Sequence, residues 1–286
     1  MTSKAAWLCA AALALCAPAA VAQATPDHYR AYVEGPWGQI HVRVDGPATG
    51  PTVILLHKMV WSSLEFEKAQ PVLAKLGVRT ISVDLPGYGL SDEPSFEPSA
   101  EQYADALIPV LDYFKLKKAD VLGTDTGASI AVAFDDRHPD RVRRLILEGP
   151  PMFEAAKRVE LLAEPVVDRS PSTTGAELAK RVSSIPPNAM SPEAMQLGAI
   201  QFFTAGPHYL YGHHAAFKFD MAAGLKKVAA PTLLIDFPGK DGFHEISAKT
   251  VRPDFGYARL GWPGMMADFD DPEPWSAVVA KFVKAP

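Results

Sequence analysis

The chain has 286 residues and a formal net charge of −5, with 48% hydrophobic and 21% charged residues. That balance supplies a sizeable core and excludes general disorder, and with no long Lys/Arg run a nucleic-acid partner is excluded too. The length fits one large α/β domain with an insertion as well as it fits two small domains.

Residues 1–22 read as an export signal: Lys4 gives a basic start, 5–16 is apolar, and Ala20, Val21 and Ala22 form a small-x-small cleavage site before Gln23. The apolar stretch is shorter than the roughly 20 residues that span a bilayer. A cleaved, periplasmic or secreted chain with no stable membrane insertion is therefore expected. Cys9 and Cys16 both fall in this segment, so the mature protein is expected to hold no disulfide and no thiolate metal site.

Residues 29–34 and 39–45 read as an antiparallel hairpin turning at Gly35, Pro36 and Gly38. The uninterrupted apolar run 52–56 is the pattern of a strand buried on both faces of a parallel sheet. A helix over 63–76, a strand over 79–83, a helix over 100–114 kinked at Pro109, a strand over 119–122, a helix over 127–137 and a strand over 143–147 follow. Such alternation predicts an α/β fold: a mostly parallel central sheet with right-handed crossovers and helices on both faces. From Pro150 the sequence turns helical and proline-rich before a strand over 232–235, a short strand over 257–260 and a closing helix over 274–283. The expected organisation is a signal peptide (1–22), a core (23–149 and 231–286) and an inserted helical cap (150–230).

Gly123-Thr124-Asp125-Thr126-Gly127-Ala128 lies between a predicted buried strand and a predicted helix. A nucleophile elbow requires this composition, because its central residue occupies a strained turn and its neighbours must be small for strand and helix to approach. The helix N-terminus favours a carboxylate and offers amides to an oxyanion. Asp125 is thus either a nucleophile or a simple helix cap, for which Asp is also well suited.

Other motifs occur in an order that supplies context. His57 is followed by Ser62-Ser63, Asp84-Leu85-Pro86-Gly87-Tyr88-Gly89-Leu90-Ser91 by a helix, and His138-Pro139-Asp140-Arg141-Val142 leads into a strand. With these, the chain from about residue 29 to 283 resembles the α/β-hydrolase superfamily. The aspartate at the elbow is similar to the epoxide hydrolase and haloalkane dehalogenase branches. The resemblance implies an α/β-hydrolase fold with a cap. It also implies carboxylate attack on an electrophilic carbon, followed by hydrolysis of the resulting ester by a His-activated water. A carboxylate is ionised near neutral pH and needs no base for the first step, whereas the second step needs one.

The chain departs from that pattern at several positions. Counted back from Pro272-Glu273, the register of the base histidine falls on Met265, which cannot take a proton and is expected to line the substrate site instead. A base is then sought in His244, beyond the seventh strand, or among the cap residues His208, His213 and His214; otherwise the reaction needs none. The orienting acid is either Asp241 or Glu148. The amides of Met59 and Thr126 are expected to form the oxyanion hole, since amides do not depend on side-chain identity. These two positions also carry the halide-binding Asn and Trp of dehalogenases, so haloalkane specificity is disfavoured. Lys58 replaces the loop glycine, either as a cation close to Asp125 and substrate or as a solvated lysine beside the cleft. Tyr209 and Tyr211 are candidate proton donors to an epoxide oxygen, or packing residues.

The expected function is an exported, epoxide-hydrolase-like enzyme acting on a small apolar electrophile, with Asp125 as nucleophile. The alternative is a non-hydrolytic member, a ligand-binding protein, lyase or isomerase without the base. A serine-type esterase is disfavoured because Ser129 lies a turn beyond the elbow. A small-molecule substrate is the expected partner. No metal or organic cofactor is indicated, the adjacent His213 and His214 being a poor chelating pair. Oligomeric state is left open by the sequence.

Overall fold

A computed structural model describes residues 27–163, 175–183, 189–205, 208–236 and 243–286, the side chains of 243–246 excepted. The signal segment and Asp241 lie outside the described residues, and His244 is described only as backbone.

Eight strands form one sheet in the order β1-β2-β4-β3-β5-β6-β7-β8. The strands are β1 (His28–Gly35), β2 (Gly38–Asp45), β3 (Thr52–Leu56), β4 (Arg79–Val83), β5 (Ala119–Thr124), β6 (Val142–Glu148), β7 (Thr232–Asp236) and β8 (Gly256–Arg259). The β1–β2 hairpin is antiparallel and β2 meets β4 antiparallel. From β4 to β8 every pairing is parallel.

Strand β3 is buried along its whole length. Its side chains alternate between faces, so Ile54 and Leu56 join one apolar cluster while Val53 and Leu55 join another with Phe66, Leu73 and Trp275. Both faces must therefore be covered by helices.

On the core these helices are α1 (Ala69–Lys75), α2 (Ala100–Asp105), α3 (Ile108–Tyr113) and α4 (Thr126–Arg137). The single helix expected over 63–76 is instead a 3-10 turn, Ser63–Phe66, followed by α1. The turn bends the chain so that Glu65 and Phe66 both become fully buried. The helix expected over 100–114 breaks ahead of Pro109, which occupies the first turn of α3, where its missing N–H costs no hydrogen bond.

Between β6 and β7 the described residues carry α5 (Ala155–Leu162), α6 (Ala176–Ser183), α7 (Pro192–Thr204), α8 (Tyr211–Lys218) and α9 (Met221–Lys227). After β7 come α10 (Phe243–Val251), α11 (Ala267–Asp270) and α12 (Pro272–Val283). Helix α8 packs on α4 and α5, and its Gly212 abuts Met59 in the loop that follows the C-terminal end of β3. Ligands bind at this end of open α/β sheets. Among the described residues, no helix is long and apolar enough to cross a membrane.

Candidate active site

Asp125 occupies the sharp turn between β5 and α4, with φ 48° and ψ −114°. A positive φ at a residue other than glycine costs on the order of 1–3 kcal/mol and persists only where surrounding structure enforces it. Here the enforcement is visible. The Asp125 N–H donates to the Glu148 carbonyl at 2.7 Å, and its own carbonyl accepts from the Ala128 N–H at 2.9 Å. A Cβ at Gly127 would lie 2.4 Å from the Leu56 carbonyl oxygen, and one at Gly123 would lie 2.3 Å from the Gly127 oxygen. Strand and helix thus approach as closely as the backbone allows. The Asp125 side chain makes no capping hydrogen bond to α4 and is half-buried. Ser129, one turn on, is fully buried inside α4 and unsuited to attack a substrate.

The loop after β3 supplies the neighbouring wall. His57 is fully buried, its Nε2 accepting from the Leu85 N–H at 3.0 Å and its Nδ1 facing the Lys58 carbonyl at 3.0 Å. Burial lowers the imidazole pKa, which agrees with this neutral tautomer and a structural role. The Met59 N–H donates to the Thr126 hydroxyl at 2.7 Å. The two expected oxyanion-hole residues are therefore adjacent, with the Met59 amide satisfied by a hydroxyl that a substrate oxyanion would have to displace.

Lys58 is neither a solvated lysine nor, by its hydrogen bonds, a partner of Asp125. Its ammonium contacts Glu65 Oε1 at 3.1 Å, the Met265 carbonyl at 3.1 Å and the Met266 sulfur at 3.2 Å. Glu65 also accepts from the Lys58 N–H at 2.8 Å and from the Thr124 hydroxyl at 2.7 Å. This ion pair lies directly behind the elbow. Burial works against the Lys58 charge, but Glu65, Asp268 and Glu148 together more than offset it and raise its pKa. Asp268 is completely buried, and burial followed by the Glu65 charge lifts its carboxyl well above the usual range. Glu65 and Asp268 escaped the sequence reading; the acid inside the apolar run Met265-Met266-Ala267-Asp268-Phe269 was the available signal.

Met265 thus serves Lys58 through its backbone, while its side chain packs on the sheet cluster that contains Trp275. Glu148, at the end of β6, is buried and accepts from the Trp275 indole N–H at 2.7 Å.

Beside the oxyanion loop a cavity of about 290 Å³ is bounded by Met59, Val60, Phe202, Tyr209 and His213, with Arg181 on a further wall. A larger depression of about 440 Å³ lies between the start of the cap and α10, lined by residues such as Met152, Arg158 and Asp220. Only the smaller one includes the oxyanion-loop residue Met59. Of the cap tyrosines, Tyr209 is buried in its wall against Phe202, whereas Tyr211 stacks on His208. The three cap histidines also separate: His208 pairs with Glu93 and His214 with Glu97, while the half-buried His213 interacts electrostatically with Asp125.

A family model described as alpha/beta hydrolase fold matches residues 51–180. Epoxide hydrolase B of Mycobacterium tuberculosis is 32% identical over 145 residues, 49% of this chain and 40% of that protein. A haloalkane dehalogenase of Mycolicibacterium paratuberculosis is 31% identical over 123 residues, 42% of this chain and 40% of that protein. The chain thus aligns with well under half the length of these curated relatives. A thermophilic esterase from Thermogutta terrifontis superposes with a TM-score of 0.73 at 18% identity, covering 90% of this chain and 98% of the esterase. The chain has the α/β-hydrolase fold, an eight-stranded and mostly parallel sheet flanked by helices, and is distantly related to epoxide hydrolases and haloalkane dehalogenases.

Proposed function

We propose that this protein is an epoxide-hydrolase-like enzyme in which Asp125 attacks a carbon of a small, largely apolar electrophile. The observation that carries the reading is a half-buried carboxylate held at positive φ in the sharp turn at the N-terminus of α4. The amides at that terminus favour the carboxylate and later the oxyanion. In the first step an Asp125 oxygen bonds to the epoxide carbon, the carbon–oxygen bond of the ring breaks, and the released alkoxide takes a proton from the Tyr209 hydroxyl. Tyr209 suits this role better than Tyr211 because its side chain lines the cavity. A volume of about 290 Å³ matches the lower end of small-molecule sites. Residues 1–22 support export, so the reaction would occur outside the cytoplasm, and cell fractionation checks this.

The test is turnover of terminal epoxides in ¹⁸O water, followed by peptide mass spectrometry. Label entering the Asp125 carboxylate, and loss of that label and of diol formation in Asp125→Ala, are the expected results. Diol formation surviving in Asp125→Ala would refute the reading. A second reading, a non-hydrolytic member, is favoured by Lys58 bonding to the loop where the base histidine would stand. Under that reading the protein binds the electrophile and forms no ester.

A further inference from the structure

We infer that His213, carried by the cap rather than by the core, is the base that activates water for hydrolysis of the Asp125 ester. The inference rests on the Asp125 reading above and supplies the group that Met265 cannot provide. Its first support is position. The first turn of α8 is fastened to the core by the Tyr88 hydroxyl, which donates to the Tyr209 carbonyl at 3.0 Å and accepts from the Gly212 N–H at 2.9 Å. Gly212 abuts the Met59 side chain so closely that a Cβ there would lie 2.4 Å from its terminal methyl. Met59 in turn is hydrogen-bonded to Thr126, the residue after the nucleophile. His213 therefore sits on a braced turn, on the wall of the cavity beside the oxyanion loop.

The second support is its unused hydrogen-bonding capacity. The ring lies near the Tyr209 carbonyl, yet its buried Nδ1 makes no hydrogen bond of ordinary geometry with any described residue. A buried polar nitrogen without a partner is uncommon and calls for a water or a substrate group. His208 and His214, by contrast, are held by Glu93 and Glu97.

The third support is protonation. Burial lowers the His213 pKa, the Asp125 charge opposes this, and His214 on its own helix and Arg181 from α6 add to the lowering. The imidazole is neutral and able to accept a proton. In the step assigned to it, a water oxygen bonds to the ester carbonyl carbon of Asp125 while one water proton passes to His213. The tetrahedral oxyanion then collapses, the bond to the alkyl oxygen breaks, and the departing alkoxide takes the proton back from His213. The second water proton leaves the regenerated carboxyl and restores the Tyr209 hydroxyl.

The experiment compares the full chain, His213→Gln and His208→Gln, separating alkylation from ester hydrolysis by rapid quench and intact-mass analysis with a terminal epoxide as probe. General-base catalysis contributes roughly 10²–10⁴-fold. His213→Gln should therefore accumulate the ester and release diol slower by that factor, with alkylation within about threefold. His208→Gln should match the parent. In the unmodified protein, ester hydrolysis should fall as pH drops through an ionisation below the ordinary imidazole value of about 6.5, a readout independent of whether the variant folds. Parent-like hydrolysis in His213→Gln, a flat pH profile, or an ester that persists in the parent chain would each overturn the assignment while leaving Asp125 as nucleophile. A parent chain giving neither ester nor diol would overturn both.

Discussion

Replacing Lys58 by Met tests whether the buried cation is structural. The ammonium side chain is 13% exposed and its partner Glu65 is 0% exposed. Removing one member of a buried pair leaves the other charge uncompensated, at a cost of roughly 3–5 kcal/mol. Glu65 keeps two donors, the Lys58 N–H at 2.8 Å and the Thr124 hydroxyl at 2.7 Å, so the lower end applies. About 3 kcal/mol corresponds to a fall in Tm of about 6–12 °C for a domain of this size. Glu65→Gln removes the charge left uncompensated, so adding it to the Lys58 variant should recover much of the loss. Calorimetry of the parent, the single variant and the double variant measures this. A fall below about 2 °C in the single variant, or no recovery in the double variant, would refute this account of the cluster.

Three more expectations follow from the geometry. Gly127→Ala should destabilise by about 3 kcal/mol or more, because its Cβ would meet the Leu56 and His57 carbonyl oxygens at 2.4 and 2.7 Å; a chemical melt that matches the parent would contradict the close approach at the elbow. Tyr88→Phe removes the hydroxyl that joins Tyr209 to Gly212 and should cost about 1–3 kcal/mol, with hydrogen exchange faster at the start of α8 than in the sheet. Asp84 is held below the usual carboxylate range because, against the penalty of burial, it accepts from His41, the Leu90 N–H and the Ser63 N–H. Its contribution is therefore present above its unfolded pKa of about 3.9 and is lost as pH falls through the depressed folded value, so Asp84→Asn should flatten the acid limb of a circular dichroism titration.

The mostly parallel sheet was legible in the sequence because burial on both faces leaves a local trace. Continuous apolar runs such as 52–56 can be satisfied only by a sheet covered on both sides, and the glycines flanking Asp125 record a close approach that no Cβ permits. Pro109 likewise marked the break between α2 and α3. Ser63–Phe66 was less legible, since helical periodicity does not separate a 3-10 turn followed by a helix from one longer helix.

The acid-base groups around the elbow followed no local rule. Lys58 and Met265 are 207 positions apart, yet the ammonium of one meets the carbonyl of the other. Likewise, nothing local distinguishes His213 from His208 and His214. Which of them interacts electrostatically with Asp125 depends on how α8 lies across the oxyanion loop, and which are engaged elsewhere depends on Glu93 and Glu97 from a distant loop. The sequence by itself determined the fold and where a strained carboxylate would be presented, because both depend on steric and hydrophobic patterns of neighbouring residues. Tertiary packing alone decided which charges surround that carboxylate, because desolvation and Coulomb interactions depend on distances in space, which separation along the chain does not encode.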